Sequence, residues 1–336
     1  MIKKKEKQVS ETSLNSDQVL QILHEKFGKY SVFRLKNRET RKDIETVSTG
    51  SIKLDSITGI NGLPLGRVVE LYGEESAGKT TLALQVLAQA TLQKKKVLFV
   101  DTEHALNFKY CENLNIDSNF FFYKQPDTAE EALEFIKIVS EMNLFDVIVL
   151  DSVGALISKN EIEQKVGEKN VAVIARLMSK FLPSIVSLLN KNNILLLFIN
   201  QQRSKLGGNV FFYGENKDTM GGNSLKYFAS MRIEIKKRGF IRNKENKVIG
   251  HIIYVKIIKN KFSIPLTEAK LNFYFGTGTD KSDEIIEISI NRNIIEQSGS
   301  WFKMNGKSIA RSKEKLISMF KNEPKFQKEI LKLNNM

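Results

Sequence analysis

The sequence predicts an α/β protein with a mainly parallel central sheet, an antiparallel extension, an N-terminal helix and a small α+β C-terminal domain. Short apolar runs bounded by polar residues alternate with helical patterns through the middle of the chain. These runs are residues 97–100, 120–123, 147–150 and 194–199. Such alternation implies a parallel sheet that helices cover on both faces. From Met231 onward, apolar residues recur at every second position, which predicts an antiparallel hairpin across residues 243–247.

Residues 1–45 predict an N-terminal arm followed by a helix. The first 13 residues are polar and charged, as in a disordered arm. From Ser13, apolar residues recur at helical spacing, and Gly28 is a suitable stop. The apolar stripe is formed by Leu14, Leu20, Leu23 and Phe27. A lone amphipathic helix must bury its stripe against its own domain or a neighbouring subunit, and the periodicity does not decide between them.

The rest of the chain divides into a core, residues 46–280, and a small C-terminal domain, residues 281–336. Glycine and proline residues between Ser48 and Gly66 predict turns, and the first core strand begins at Val68. From about Lys281 onward, helical and short-strand patterns mix around Trp301. A length of 336 residues is sufficient for one large α/β core with a smaller appendage.

The amino-acid composition limits the possible binding partners and the cellular compartment of the protein. The chain carries 52 Lys and Arg against 38 Asp and Glu, and the net charge of +14 indicates either a polyanionic partner or a solvated lysine-rich surface. Its single cysteine excludes a disulfide framework and a cysteine-rich zinc module. We see no export signal and no apolar run long enough to cross a membrane, so we expect a cytoplasmic protein without a membrane partner.

Residues 73–80 fit the phosphate-loop pattern G-x-x-x-x-G-K-[ST], between an apolar strand and a helical pattern. Glycines let the backbone N–H groups curl around phosphate oxygens, and the helix N-terminus adds positive potential. Lys79 is placed to reach the β- and γ-phosphates, and the Thr80 hydroxyl is placed for Mg²⁺. The strand and helix context distinguishes this segment from an ordinary glycine-rich turn.

Polar residues at the carboxyl ends of the predicted strands are the next candidates, because ligands of parallel sheets bind there. Asp151 closes an apolar strand and is placed to hold Mg²⁺ through water, although a strand-end aspartate can also be a cap or a turn residue. Glu103 is the candidate general base for hydrolysis, with a helix cap or a surface ion pair as the alternative. We interpret His104 as a supporting or packing residue, because no partner ligand lies at a helical or strand spacing from it. We interpret Cys111 as a small packing residue, because it has no His or Asp partner in the sequence.

Residues 201–222 predict a long loop, and a second loop covers residues 161–170. The long loop combines basic side chains with the aromatic residues 211–213, a combination suited to a single nucleic-acid strand. Cations would contact phosphates and rings would stack on bases. The alternative is a lid over the nucleotide.

These residues and motifs resemble the bacterial RecA recombinase family over nearly the whole chain. The matching stretches are STGSIKLD at 48–55, GLPLGRVVELYGEESAGKTTL at 62–82, FVDTEHAL at 99–106, QPDTAEEALE at 125–134, DVIVLDSVGAL at 146–156, FINQ at 198–201, GGNSLKYFAS at 221–230 and VKIIKNK at 255–261. The resemblance implies a RecA-type P-loop NTPase core, which would bind ATP and Mg²⁺.

The resemblance also implies roles for individual residues. The catalytic positions would be Glu103, which activates water, Lys79, the γ-phosphate sensor Gln201, and the pair Lys259 and Lys261, which reaches ATP on the neighbouring subunit. The cofactor-binding positions would be Gly73, Glu74, Glu75, Ser76, Ala77, Gly78, Lys79, Thr80, Thr81, Tyr110 and Asp151. Thr80 and Asp151 would hold the metal, and Tyr110 would lie against the adenine.

The implied partners are single- and double-stranded DNA, further copies of the chain in a helical filament, and an SOS repressor whose self-cleavage the filament promotes. The DNA-contact positions would be Val171, Arg176, Ser179, Arg203, Lys205, Gly221, Gly222 and Asn223. The N-terminal helix would serve oligomerisation, and the C-terminal domain would capture duplex DNA. The implied activity is DNA-dependent ATP hydrolysis with homologous pairing and strand exchange in recombinational repair.

Other functions compatible with a phosphate loop remain open at this point. A hexameric helicase would share the core but would lack the KNK pair and would carry another N-terminal domain. A small-molecule P-loop kinase would need a substrate lid and would not need the positive charge. A nucleotide-gated scaffold would bind ATP without turnover. The chain also departs from the family pattern at Asn107, where an aspartate commonly contacts the base, and at Pro183, where an arginine often lies near DNA.

Overall fold

A computed structural model describes residues 15–28, 32, 44–163, 173–204, 217–243 and 245–334 of the chain. Within it, Met1–Asp43 and Ile44–Met336 form two compact units. The predicted arm, residues 1–13, lies outside the described residues.

In the first unit, helix α1 (Ser16–Phe27) ends before Gly28, as the periodicity predicts. Asn15 and Gln18 form a capping box at its start, and Gly28 adopts a positive φ of 95° at its end. No residue of this helix is buried. Val19, Ile22 and Phe27 are exposed, whereas Leu20 and Leu23 of the apolar stripe are partly buried within this unit.

The second unit contains the remaining helices and all the described strands. The helices are α2 (Ile52–Thr58), α3 (Lys79–Leu92), α4 (Phe108–Asn113), α5 (Ala129–Glu141), α6 (Lys159–Glu163), α7 (Val173–Asn192), α8 (Ser224–Phe228), α9 (Lys281–Asn291), α10 (Lys313–Asn322) and α11 (Pro324–Leu333). The strands are β1 (Thr46–Val47), β2 (Leu63–Pro64), β3 (Val68–Gly73), β4 (Val97–Asp101), β5 (Phe121–Lys124), β6 (Val147–Asp151), β7 (Leu195–Ser204), β8 (Lys217–Thr219), β9 (Met231–Arg242), β10 (Val248–Asn260), β11 (Glu268–Tyr274), β12 (Gly278–Thr279), β13 (Glu296–Ser298), β14 (Trp301–Met304) and β15 (Lys307–Ala310).

The central sheet has the order β12-β11-β10-β9-β3-β7-β6-β4-β5, with β8 paired to β7. From β9 to β5 along this path, each strand is parallel to the next one. Strands β10, β11 and β12 continue the sheet in antiparallel pairing, and the β9–β10 hairpin turns between Arg242 and Val248. This arrangement confirms the mainly parallel sheet with its antiparallel extension.

Helices cover both faces of the parallel strands. Along β4, Val97 and Phe99 belong to one apolar core, whereas Leu98 and Val100 belong to the core on the opposite face. Helix α3 packs in the first core, and helices α5 and α7 pack in the second. Burial on both faces explains why these strands appear in the sequence as continuous apolar runs.

Helix α7 is the one described helix that is long and apolar enough to cross a membrane by length and composition alone. Its apolar side faces the protein interior, where Met178, Leu182 and Ile185 pack in the second core. Its other side exposes Arg176 and Lys180. The helix therefore has the amphipathic character of a core-covering helix.

The C-terminal region forms a third apolar core around the antiparallel sheet β13-β14-β15. Most of its buried residues come from helices α9, α10 and α11 and from strands β14 and β15, and this arrangement confirms the small α+β appendage. Buried polar contacts join the region to the core. Ser51 Oγ donates to Glu284 Oε1 at 2.7 Å, and the Lys53 backbone N–H donates to Glu284 Oε2 at 3.2 Å.

Candidate functional site

The phosphate loop lies where the sequence pattern places it, between the end of β3 and the start of α3. Gly78 is the N-cap residue of α3 and adopts a left-handed conformation with φ of 93°. A Cβ on Gly78 would lie 3.2 Å from the Phe273 ring. Both the backbone angle and the close approach therefore require glycine at this position.

Lys79 folds back onto the loop that it follows. Its Nζ donates to the carbonyl oxygens of Glu74 at 2.7 Å and Gly73 at 3.3 Å, and its side chain is buried. Burial lowers the pKa of Lys79, while Asp151, Glu103 and Glu75 act in the opposite direction. Among the described residues, this buried ammonium group donates to neutral carbonyl oxygens, so it would gain from a phosphate anion.

Thr80 and Asp151 form a contact across 71 residues of sequence. Thr80 Oγ1 donates to Asp151 Oδ2 at 2.7 Å. Burial raises the pKa of Asp151 to about 7, and the nearby carboxylates Glu103 and Asp101 add to this effect. The described residues contain no group of three or more His, Cys, Asp or Glu side chains placed to hold a metal ion. Two oxygen ligands fit Mg²⁺, because this ion usually takes one or two protein ligands and fills its sphere with phosphate oxygens and water.

Glu103 is held by two side chains from neighbouring strand ends. Ser152 Oγ donates to Glu103 Oε1 at 2.6 Å, and Gln201 Nε2 donates to the same oxygen at 3.3 Å. The parallel pairing of Asp101 with Asp151 brings these strand ends side by side. The Glu103 side chain itself is exposed to the pocket, so its carboxylate is accessible to solvent.

Tyr110 lies against the start of α3. Its hydroxyl donates to Thr81 Oγ1 at 2.9 Å, and burial raises its pKa. Asn107 caps helix α4 and accepts a hydrogen bond from the Tyr110 backbone N–H at 3.2 Å. The residue that departs from the family pattern therefore positions the residue expected to face the base.

A cavity of about 370 Å³ collects most of the predicted nucleotide site. It is lined by Glu75, Ser76, Ala77, Gly78, Lys79, Thr80, Thr81, Glu103, Asp151, Gln201 and His251. The sequence predicts no individual role for Ser152 or for His251. Ser152 is recognisable only as a strand-end neighbour of Asp151, and His251 occupies an interior position of a predicted strand, which carries no functional signal.

Lys259 and Lys261 do not join this cavity. The Lys261 backbone N–H bonds to Ser230 O, and the Ser230 N–H bonds to Val68 O at the beginning of β3. Strand β3 rises over roughly 17 Å from there to the phosphate loop. Lys259 caps α8 through the carbonyls of Lys226 and Tyr227 at 2.7 and 2.9 Å, and burial together with Lys261 lowers its pKa. The pair therefore lies at the opposite edge of the parallel strands.

The predicted DNA-contact residues fall into two groups. Arg176 and Ser179 lie on exposed positions of α7, and Ser179 Oγ is 2.5 Å from Ser224 Oγ, next to Asn223. Gly221 and Gly222 have positive φ angles, and a Cβ on Gly222 would lie 2.9 Å from Ala175 Cβ. The structure thus brings α7 and residues 221–223 together. Arg203 pairs with Asp218 through the backbones of β7 and β8, whereas Val171 and Lys205 lie outside the described residues.

Asn200 connects these two regions. Its Oδ1 accepts from the Gln201 backbone N–H at 2.9 Å, and its Nδ2 donates to the Met220 carbonyl at 2.9 Å. Asn200 Nδ2 also donates to Glu70 Oε1 at 2.9 Å, and Glu70 is fully buried on β3. A continuous set of hydrogen bonds therefore runs from Glu103 through Gln201 and Asn200 to the segment that begins at Met220.

The chain matches two protein-family models. The RecA N-terminal domain matches residues 15–280, and the RecA C-terminal domain matches residues 283–333. Among similar proteins, the chain is 39% identical over 311 residues to Protein RecA of Bdellovibrio bacteriovorus, covering 92% of this chain and 81% of the relative. The identity is 40% over 314 residues with Protein RecA of Wigglesworthia glossinidia brevipalpis, covering 94% and 93%. It is 41% over 308 residues with Protein RecA of Thioalkalivibrio sulfidiphilus, covering 92% and 89%.

Proposed function

Because the chain belongs to the RecA family, we propose that it is an ATP-dependent DNA recombinase, which hydrolyses ATP on single-stranded DNA and pairs homologous strands. The observation that carries this proposal is the hydrogen-bonded connection from Glu103 through Gln201 and Asn200 to Met220. One end of it lines the nucleotide cavity, and the other adjoins the glycines beside α7. A nucleotide-dependent change at Gln201 would therefore act directly on the proposed DNA-binding segment.

In the proposed mechanism, the backbone N–H groups of residues 74–79 bind the phosphates of ATP, and Lys79 exchanges its carbonyl partners for phosphate oxygens. Thr80 and Asp151 would hold Mg²⁺, which neutralises charge on the phosphates when it is bound. Tyr110, fixed by Thr81 and Asn107, would lie against the base.

Glu103 would act as the general base that orients and deprotonates the attacking water. Ser152 donates to one carboxylate oxygen and leaves the other free to accept a proton. Gln201 donates to the same oxygen and also lines the cavity, so its amide would exchange Glu103 for a γ-phosphate oxygen when ATP binds. That exchange would alter the position of Asn200, and with it the hold on Met220.

The proposed DNA contacts are Arg176 and Ser179 on α7, the segment Gly221–Asn223, and the Val171, Arg203 and Lys205 side chains. Arg176 is exposed beside that segment, and the net charge of +14 favours a polyanionic partner. The remaining proposals rest on family membership alone. They are duplex capture by residues 281–336, the domain boundaries at 45 and 280, assembly through α1, a cytoplasmic location and promotion of SOS repressor cleavage.

A hexameric helicase is not favoured, because the family models for both RecA domains match along the chain. The kinase and scaffold alternatives are distinguished by experiment.

The test of the proposed function is the ATP hydrolysis rate of the purified chain with and without single-stranded DNA, in the presence of Mg²⁺. We expect the rate to rise about tenfold or more with DNA, in the range typical of coupling between sites. A rate that DNA leaves unchanged would contradict the proposal and would favour a kinase or a scaffold.

The position of Lys261 leads to a prediction about subunit cooperation. If Lys261 acts on the ATP of a neighbouring copy, Lys261→Ala and Lys79→Ala should each lower DNA-stimulated hydrolysis by about 10²-fold. In an equal mixture, about a quarter of the head-to-tail interfaces would combine an intact phosphate loop with an intact Lys261. The mixture should then hydrolyse ATP at about a quarter of the wild-type rate. We would measure this rate as steady-state phosphate release.

Each variant alone at the same total concentration is the control for this mixture. Lys261 is preferable to Lys259 because its side chain is exposed, whereas Lys259 also caps α8. Recovery no greater than the average of the separate variants would show that Lys261 does not complete a neighbouring site.

A further inference from the structure

His251 is a buried polar side chain for which the phosphate-loop pattern provides no role. It lies on β10, paired in register with Phe240 on β9 and Phe273 on β11, and is 8% exposed. Neither of its ring nitrogens has a hydrogen-bond partner among the described residues. The side chain lines the same cavity as Lys79, Thr80 and Asp151.

The surroundings of the imidazole orient it towards the phosphate loop. Its ring stacks on Phe273, with centroids 6.1 Å apart and planes at 24°, and its centroid lies 5.7 Å from that of the Phe275 ring. A Cβ built on Gly78 would lie 3.6 Å from His251 Nε2. The two phenylalanines thus fix the ring on its apolar sides, while Nε2 faces the turn of the loop that leads into α3.

Burial of two unpartnered ring nitrogens is unfavourable unless a ligand satisfies them. Burial and the nearby Lys237 lower the pKa of His251, which favours the neutral ring with one N–H donor. Beside Gly78, the groups that a phosphate loop brings to this point are phosphate oxygens, which are strong acceptors. If this position only packed against its apolar neighbours, a phenylalanine or a leucine would suit it better than histidine, because neither has ring nitrogens to bury.

We propose that His251 contacts the bound nucleotide directly and that its Nε2–H donates a hydrogen bond to an oxygen of the triphosphate chain beside Gly78. This inference rests on the proposed function, because it takes ATP as the occupant of the cavity. His251 would be a binding residue additional to the loop amides, Lys79 and Thr80. It would also link nucleotide occupancy to the antiparallel strands β10 and β11, which lie beside the loop.

The test compares wild type, His251→Leu and His251→Gln. Leucine keeps a buried apolar side chain without a donor, and glutamine can place an amide N–H near the position of Nε2. We would measure displacement of a fluorescent ATP analogue by ATP and by inorganic tripolyphosphate, with Mg²⁺ present, and the thermal midpoint without nucleotide. Lys79→Ala serves as the reference for a damaged phosphate loop.

We expect His251→Leu to weaken binding of both ATP and tripolyphosphate by about tenfold or more, and His251→Gln to recover part of this loss. The nucleotide-free thermal midpoint of the leucine variant should equal or exceed that of wild type, because the unpartnered nitrogens are gone. Unchanged affinity for tripolyphosphate would overturn the phosphate contact, and so would a lowered midpoint with unchanged affinity. If the wild-type protein itself bound no ATP, the proposed function would be contradicted. If wild type bound ATP and His251→Leu bound tripolyphosphate equally well, only the proposed role of His251 would be contradicted.

Discussion

Replacement of Glu103 by glutamine is expected to lower kcat for DNA-stimulated ATP hydrolysis by about 10²- to 10⁴-fold, the usual contribution of a general base. The amide has nearly the same shape as the carboxylate and can still accept a hydrogen bond from Ser152. It cannot take a proton from water. The fold, the phosphate loop and the contacts of Asn200 should be unaffected, so binding of ATP and of single-stranded DNA should be retained.

The measurement is steady-state phosphate release at saturating ATP and single-stranded DNA, with ATP affinity measured separately. Glu112→Gln is the matched control, because Glu112 is an exposed carboxylate on α4 that does not line the cavity. This control variant should hydrolyse ATP at the wild-type rate. Hydrolysis by Glu103→Gln at a rate close to that of the control would remove Glu103 from the role of general base.

The fold was largely predictable because local sequence and sheet architecture agree. Apolar runs such as residues 147–150 alternate their side chains between two cores, and only a sheet covered on both faces buries them all. The hairpin between β9 and β10 was predictable from its period of two. The orientation of α1 relative to any partner was not, because a helix with exposed Val19, Ile22 and Phe27 carries no information about which surface covers it.

The site was predictable where a residue's position follows from strand order. Asp151 and Glu103 lie close together because parallel neighbouring strands end at the same edge. The contacts that complete the site depend instead on residues remote in sequence: Ser152 reaches Glu103, and His251 comes from an antiparallel strand beyond β9. No local pattern reveals that a histidine inside a strand faces a phosphate loop, since its neighbours in sequence have the alternation of any half-buried strand.

The buried ion pair at the centre of the sheet leads to the second large prediction. Glu70 on β3 is fully buried, and its carboxylate accepts hydrogen bonds from Arg232 on β9 and Asn200 on β7. The Arg232 guanidinium also lies 4.7 Å from the Tyr72 ring centroid. We expect Arg232→Met to lower the free energy of unfolding by about 3–5 kcal/mol, because it leaves an uncompensated charge in the interior. Urea denaturation followed by circular dichroism would measure the change.

The double variant Glu70→Leu/Arg232→Met separates the charge effect from the loss of packing. Removing both charges leaves no buried ion to desolvate, so the double variant should be more stable than Arg232→Met alone. Lys247→Met is the matched surface control, because its ion pair with Glu245 is 75% and 69% exposed, and it should change stability by less than about 1 kcal/mol. If the double variant were as unstable as Arg232→Met, the loss would come from the arginine's packing against Tyr72 rather than from the unpaired carboxylate. If Arg232→Met and the surface control had the same free energy of unfolding, Arg232 would not stabilise the buried Glu70 carboxylate.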